Sequence, residues 1–152
     1  LADEIRRRLA EHPVRTDSVV TLVRVVDCML AGSPWCVALG DAIRDWHLAA
    51  LGNARLERTN RAALELSLAK VLVAAGDPDA AVARARRAGE IAPENIQYRL
   101  QAAILYAALE RWEVLGEALA TLRRDAPAGG AGLEGLAELE SRYREHASRA
   151  RD

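Results

Sequence analysis

Cys28 and Cys36 are the two side chains whose type and spacing most invite a reaction with each other. Gly32-Ser33-Pro34 lies between them, so a helical hairpin turning there would bring the end of one helix beside the start of the next. A disulfide is sterically compatible with that turn and would call for an oxidising compartment. The alternative is a pair of free thiols packed as small hydrophobes. Zinc fits poorly, because the chain has only these two cysteines and His47 stands in no ligand pattern with them.

Asp41 and Asp45 stand one helical turn apart and share a face, whereas His47 points about 200° away from Asp45 at 3.6 residues per turn. That separation argues against a metal or acid–base site and for a solvated helix face. His12 precedes a proline and His146 lies in a charged tail, neither beside a nucleophile. Trp35 and Trp46 read as core aromatics before they read as a stacking platform. Arg84, Arg86 and Arg87 read as a solvated face with Glu90 and Asp79 for company. The sequence holds no glycine-rich phosphate loop and no nucleophile elbow. The expectation is therefore no catalytic residue, no metal and no cofactor.

The 152 residues are 51% hydrophobic and 28% charged, with a formal net charge of -1. That length suits one domain, and the charge provides no field to attract nucleic acid or an anionic surface. No apolar run of about 18 residues exists, so no membrane span is expected. Ala, Leu, Arg and Glu dominate, Phe is absent, and Lys70 is the only lysine. Such unbranched side chains lose little rotamer freedom on a helix, which predicts an all-α fold. Because the chain starts at Leu1 rather than Met, it is expected to be part of a longer protein.

Punctuation divides the chain into helix-length pieces. His12-Pro13 closes a first, Thr16-Asp17-Ser18 opens a second that runs to Gly32, and Ser33-Pro34 opens a third that ends near Gly52-Asn53. Thr59 or Asn60 is expected to cap a fourth that stops at Gly76. Asp77-Pro78-Asp79 opens a fifth, Glu94-Asn95 a sixth and the residues after Glu110-Arg111 a seventh. A glycine-rich link over 127–132 precedes a last amphipathic helix over 133–147. The predicted core includes Leu64, Leu68, Leu72, Ala81, Ala88, Leu105, Tyr106, Trp112 and Leu119.

Pro93 and Pro127 lie 34 residues apart. With that interval, Leu68-Ala69, Gly76, Ala81 and Ala88 in residues 62–95 and Ala102-Ala103, Tyr106 and Trp112 in residues 96–129 resemble the tetratricopeptide repeat pattern. The tryptophan of that pattern is replaced by Glu65 and Arg99, and its second-helix alanines by Leu115 and Leu122. The resemblance implies an α-solenoid of antiparallel helix pairs within one domain. Residues 1–58 would supply N-terminal helices, 62–95 and 96–129 the two repeats, and 133–147 a capping helix.

The resemblance further implies a concave groove lined by Ala63, Leu66, Lys70, Val73 and Ala74, then Gln97, Leu100, Ile104, Ala107 and Ala108. Leu66 and Leu100 would face that groove and not the core. An apolar groove implies a peptide, helix or neighbouring domain as ligand, hence a protein–protein interaction module. Two other readings are a non-catalytic extension of a bacterial membrane glycosyltransferase-type enzyme and a homodimeric scaffold. The cysteine pair inclines the expected location toward the periplasm.

Overall fold

The computed structural model describes residue 7 and residues 16–33, 39–126 and 133–150. Among these residues there are seven helices and no strand. They are α1 Thr16–Leu30, α2 Gly40–Leu51, α3 Arg58–Ala74, α4 Pro78–Ile91, α5 Ile96–Ala108, α6 Trp112–Asp125 and α7 Leu136–Arg149. The protein is all-α, as its helix-forming composition predicts. Apart from residue 7, the first expected segment, before Pro13, lies outside the described residues, as do Trp35 and Cys36.

Local chemistry sets most boundaries. Asp77 Oδ1 accepts from the Ala80 N–H, and Asn95 Oδ1 accepts from the Tyr98 N–H, so both expected caps satisfy an orphan donor of the first turn. Pro78 occupies the first turn of α4, where its missing N–H costs nothing. Thr59 and Asn60 do not cap α3. That helix starts at Arg58 after Glu57, with no side-chain cap bond. The preceding loop is closed instead by Arg61, whose guanidinium donates to the Leu51 and Asn53 carbonyls at 2.7 Å each. The last helix begins at Leu136, later than expected, because Gly135 takes a left-handed φ of 89° immediately before it.

Two turns close in the same way. The Gly76 N–H donates to the Val73 carbonyl and the Asp77 N–H to the Leu72 carbonyl; the Glu110 N–H donates to Ala107 and the Arg111 N–H to Tyr106. Both are Schellman closures around a left-handed residue, with φ 78° at Gly76 and φ 55° at Glu110. Glycine adopts that conformation freely, whereas Glu110 does so against its own Cβ.

The apolar interior has two parts that meet at α3. Val19, Leu22, Val26 and Met29 of α1 and Ile43, Trp46 and Ala50 of α2 pack with Leu64, Leu68 and Val71 of α3. Leu66 and Ala69 belong to the second part, with Ala85 and Ala88 of α4, Leu100, Ala103 and Tyr106 of α5, and Leu115, Leu119 and Leu122 of α6. The fully buried alanines on α3, α4 and α5 let those helices approach closely. Helix α7 packs on α5 and α6 and buries Leu139, while Tyr143 fills the space left by the missing side chain of Gly116. Of the predicted core, Leu72 and Trp112 are only half-buried; Trp112 lies in the first turn of α6 and stacks on His146 of α7 at 4.4 Å.

Charge also enters the helix interfaces. The Glu65 carboxylate is 3% exposed and takes Arg84 and Arg87 of α4, each at 3.1 Å. Arg99, 34 residues on, pairs with Asp125 of α6 at 2.8 Å. The arginines of α4 are therefore partly interfacial and not simply a solvated face. Burial raises the Tyr106 phenol from 10.0 to about 12, against the opposing pull of Arg86.

Leu68→Ala should destabilise the protein by about 2–5 kcal/mol in denaturant titrations, because the side chain is fully buried against α1 and α2. Glu110→Gly should add roughly 1 kcal/mol and raise Tm by about 2–4 °C by removing a left-handed Cβ. Gly76→Ala should cost a similar amount, although a Cβ there meets nothing within 4 Å.

Candidate functional site

Helix α3 is buried on two faces, and the stripe left between them is Asn60, Ala63, Ser67 and Lys70, at spacings of three and four residues. This stripe forms the floor of a cleft of about 400 Å³. Val19, Val20, Val23 and Arg24 of α1 make one wall, and Tyr98 and Gln101 of α5 contribute to the other. Leu66 touches the cleft from the edge of the core. Lys70 bridges to Asp27 of α1 at 3.7 Å, fixing one end of the opening. No carboxylate pairs with Arg24 among the described residues.

The groove expected from the sequence is partly assembled here. Ala63, Leu66 and Lys70 line the cleft. Val73 is half-buried against the C-terminal core, and Ala74, Gln97 and Ala108 are exposed outside the cleft lining. Ile104 is exposed and likewise outside it. Leu66 and Leu100 are each 3% exposed and Ala107 is fully buried, so these three belong to the core. Their burial follows from α3 and α5 packing directly on each other, which consumes the faces that sequence spacing assigned to a ligand. The wall supplied by α1 was not anticipated. Its signal is the apolar spacing of Val19, Val20 and Val23 on the 15-residue helix α1.

A buried polar pair lies beneath the cleft. His47 of α2 is 0% exposed, its Nδ1 lies 2.7 Å from the Ile43 carbonyl, and its Nε2 lies 2.9 Å from Ser67 Oγ. A carbonyl can only accept, so Nδ1 carries the proton and Nε2 accepts from the Ser67 hydroxyl. The ring is neutral: burial pushes its pKa from 6.5 to about 4, although the Ile43 hydrogen bond raises it. Asp41 and Asp45 remain on the exposed side of α2 with Arg44, as their spacing implied. His47 is opposite them, but as a satisfied core residue and not as part of the solvated face.

A second cleft, of about 460 Å³, runs between α4, α5 and α6. Ala85, Gly89 and Ala118 form small steps along it, and the Arg86–Glu117 ion pair at 3.6 Å crosses it. Its rim carries both charge signs. Cys28 is an exposed free cysteine, and its expected partner Cys36 lies outside the described residues. Trp46 is a core aromatic, edge-on to His47 at 6.2 Å. Among the described residues no group of three His, Cys, Asp or Glu is placed to hold a metal ion, and no helix is long and apolar enough to cross a membrane.

No family model matches the chain, and neither a curated protein nor a solved structure matches it.

Leu66→Glu should cost about 4 kcal/mol or more in chemical denaturation, because it removes a core leucine and buries an unpaired carboxylate. Val20→Glu, at a residue 55% exposed, should stay within about 0.5 kcal/mol of the wild type.

Proposed function

We propose that the chain is a non-catalytic protein-interaction module with a tetratricopeptide-like architecture. Its α1–α3–α5 cleft receives a short peptide or helix carrying apolar side chains and at least one carboxylate. The observation that supports this reading is the cleft's lining: three valines, Ala63 and Leu66 beside Asn60, Ser67, Tyr98 and Gln101, with Arg24 and Lys70 as its only charged side chains among the described residues. Apolar burial supplies attraction, while Arg24, which pairs with no carboxylate among the described residues, favours an acidic segment over a basic one; Lys70 adds to this beyond its bridge to Asp27.

The repeat component rests on recurrence. Ala74 and Ala108 end helices, Pro78 and Trp112 begin them, and Ile91 and Asp125 end them again, always 34 residues apart. The Schellman turns at Gly76 and Glu110 recur at that interval too. So do Glu65 and Arg99, each ion-paired to the following helix of its pair. Helix α7 packs on α5 and α6 and contributes no residue to the cleft lining, which supports reading it as a cap and not as the cleft's occupant. Its outward residues Ser141, Glu145 and Arg149 are polar, which suits a terminal cap.

Selection of binding peptides from a displayed random library tests the reading. Selected peptides should combine apolar residues with Asp or Glu. Val20→Glu with Lys70→Glu should weaken their binding at least about tenfold, equivalent to about 1.4 kcal/mol, without lowering Tm by more than a few degrees. Peptides that bind the double variant equally well, or that crosslink only to α4 and α6, would overturn the cleft assignment.

A further inference from the structure

His47 joins two helices through a contact with strict proton requirements. Its Nδ1–H must serve the Ile43 carbonyl on its own helix, and its bare Nε2 must receive the Ser67 hydroxyl of α3. With no exposure, the ring has no water to stabilise a second proton. The charged groups on the surrounding helices are engaged elsewhere. On α3, Glu65 faces Arg84 and Arg87, Arg61 holds the Leu51 and Asn53 carbonyls, and Lys70 holds Asp27 of α1. On α1, Arg24 lines the cleft and Cys28 is exposed; on α2 itself, Asp41 and Asp45 pair with Arg44 at the surface. None of them hydrogen-bonds the ring, so among the described residues no carboxylate is placed to neutralise an imidazolium.

The position of this contact determines what its loss would do. The N-terminal part of the core is built from α1, α2 and the Leu64–Leu68–Val71 face of α3, whereas Leu66 and Ala69 face the other part. Releasing α1 and α2 would therefore uncover one face of α3 and leave the packing of α4, α5 and α6 in place.

We propose that the His47–Ser67 contact is an acid-sensitive latch, and that proton uptake by His47 opens α1 and α2 from α3 while α4–α6 stay folded. The latch goes beyond the peptide-binding reading and stands without it. His47 is neutral when folded and binds a proton more readily when exposed. Its stabilising contribution is therefore complete above pH 6.5 and declines as the pH falls toward about 4.

Hydrogen exchange read by mass spectrometry at pH 7 and pH 5, corrected for intrinsic rates, tests the latch. This interval lies above the ordinary range of exposed carboxylates. The chain should carry His12→Gln and His146→Gln so that His47 alone titrates. The opening constant of α1 and α2 peptides should rise about 20-fold between the two pH values, while α4 and α6 peptides stay unchanged. Adding His47→Gln, whose amide can still donate and accept, should abolish the pH dependence. Should that variant not fold, an NMR titration of the His47 ring in the parent chain decides the matter: a midpoint near 4 supports the latch, and one near 6.5 overturns it. A uniform change across all helices, or pH dependence that survives His47→Gln, also overturns it.

Discussion

Helix α3 has to be apolar on two opposed faces at once, because helices on both sides lean on it. Leu64, Leu68 and Val71 answer to α1 and α2, while Leu66 and Ala69 answer to α4 and α5. Nearly every position from Ala62 to Val71 is therefore buried, and the polar ones need internal partners. Glu65 finds two arginines of α4, and Ser67 finds His47 of α2. The narrow strip that remains becomes the cleft floor. Cleft, buried ion pair and histidine contact are thus three outcomes of one over-committed helix.

Because the helix-forming composition and the Asp77, Pro78, Asn95 and Gly76 signals act locally, the all-α class and the boundaries of α4, α5 and α6 could be read from the chain. The position of Glu110 was readable by interval alone, since nothing about a glutamate announces a left-handed turn. The groove was harder to read. Helical spacing groups residues by face but does not say which face a neighbouring helix has already taken, and Leu66, Leu100 and Ala107 went to the core for that reason. The α1 wall, the His47–Ser67 pair and the Glu65–arginine cluster each join residues about 20 to 80 positions apart, which no local pattern encodes.

Ser67 ties the cleft to the layer beneath it. Its helix position borders the cleft, and its hydroxyl is committed to His47 on the far side. A ligand resting on the cleft floor would press on the same helix that holds α2 in place. The α1 wall depends on that arrangement too, since α1 packs on both α2 and α3.

The helices mostly pack on their immediate successors: α2 on α3, α3 on α4, α4 on α5, α5 on α6. Three-residue turns join α3 to α4 and α5 to α6, so the contacts that matter can form before distant parts of the chain have met. Little loop-closure entropy opposes such a sequence of events. Folding should accordingly be fast for a chain of this length, with hairpins appearing independently and then zipping together, and no single late step of long-range closure should govern the rate.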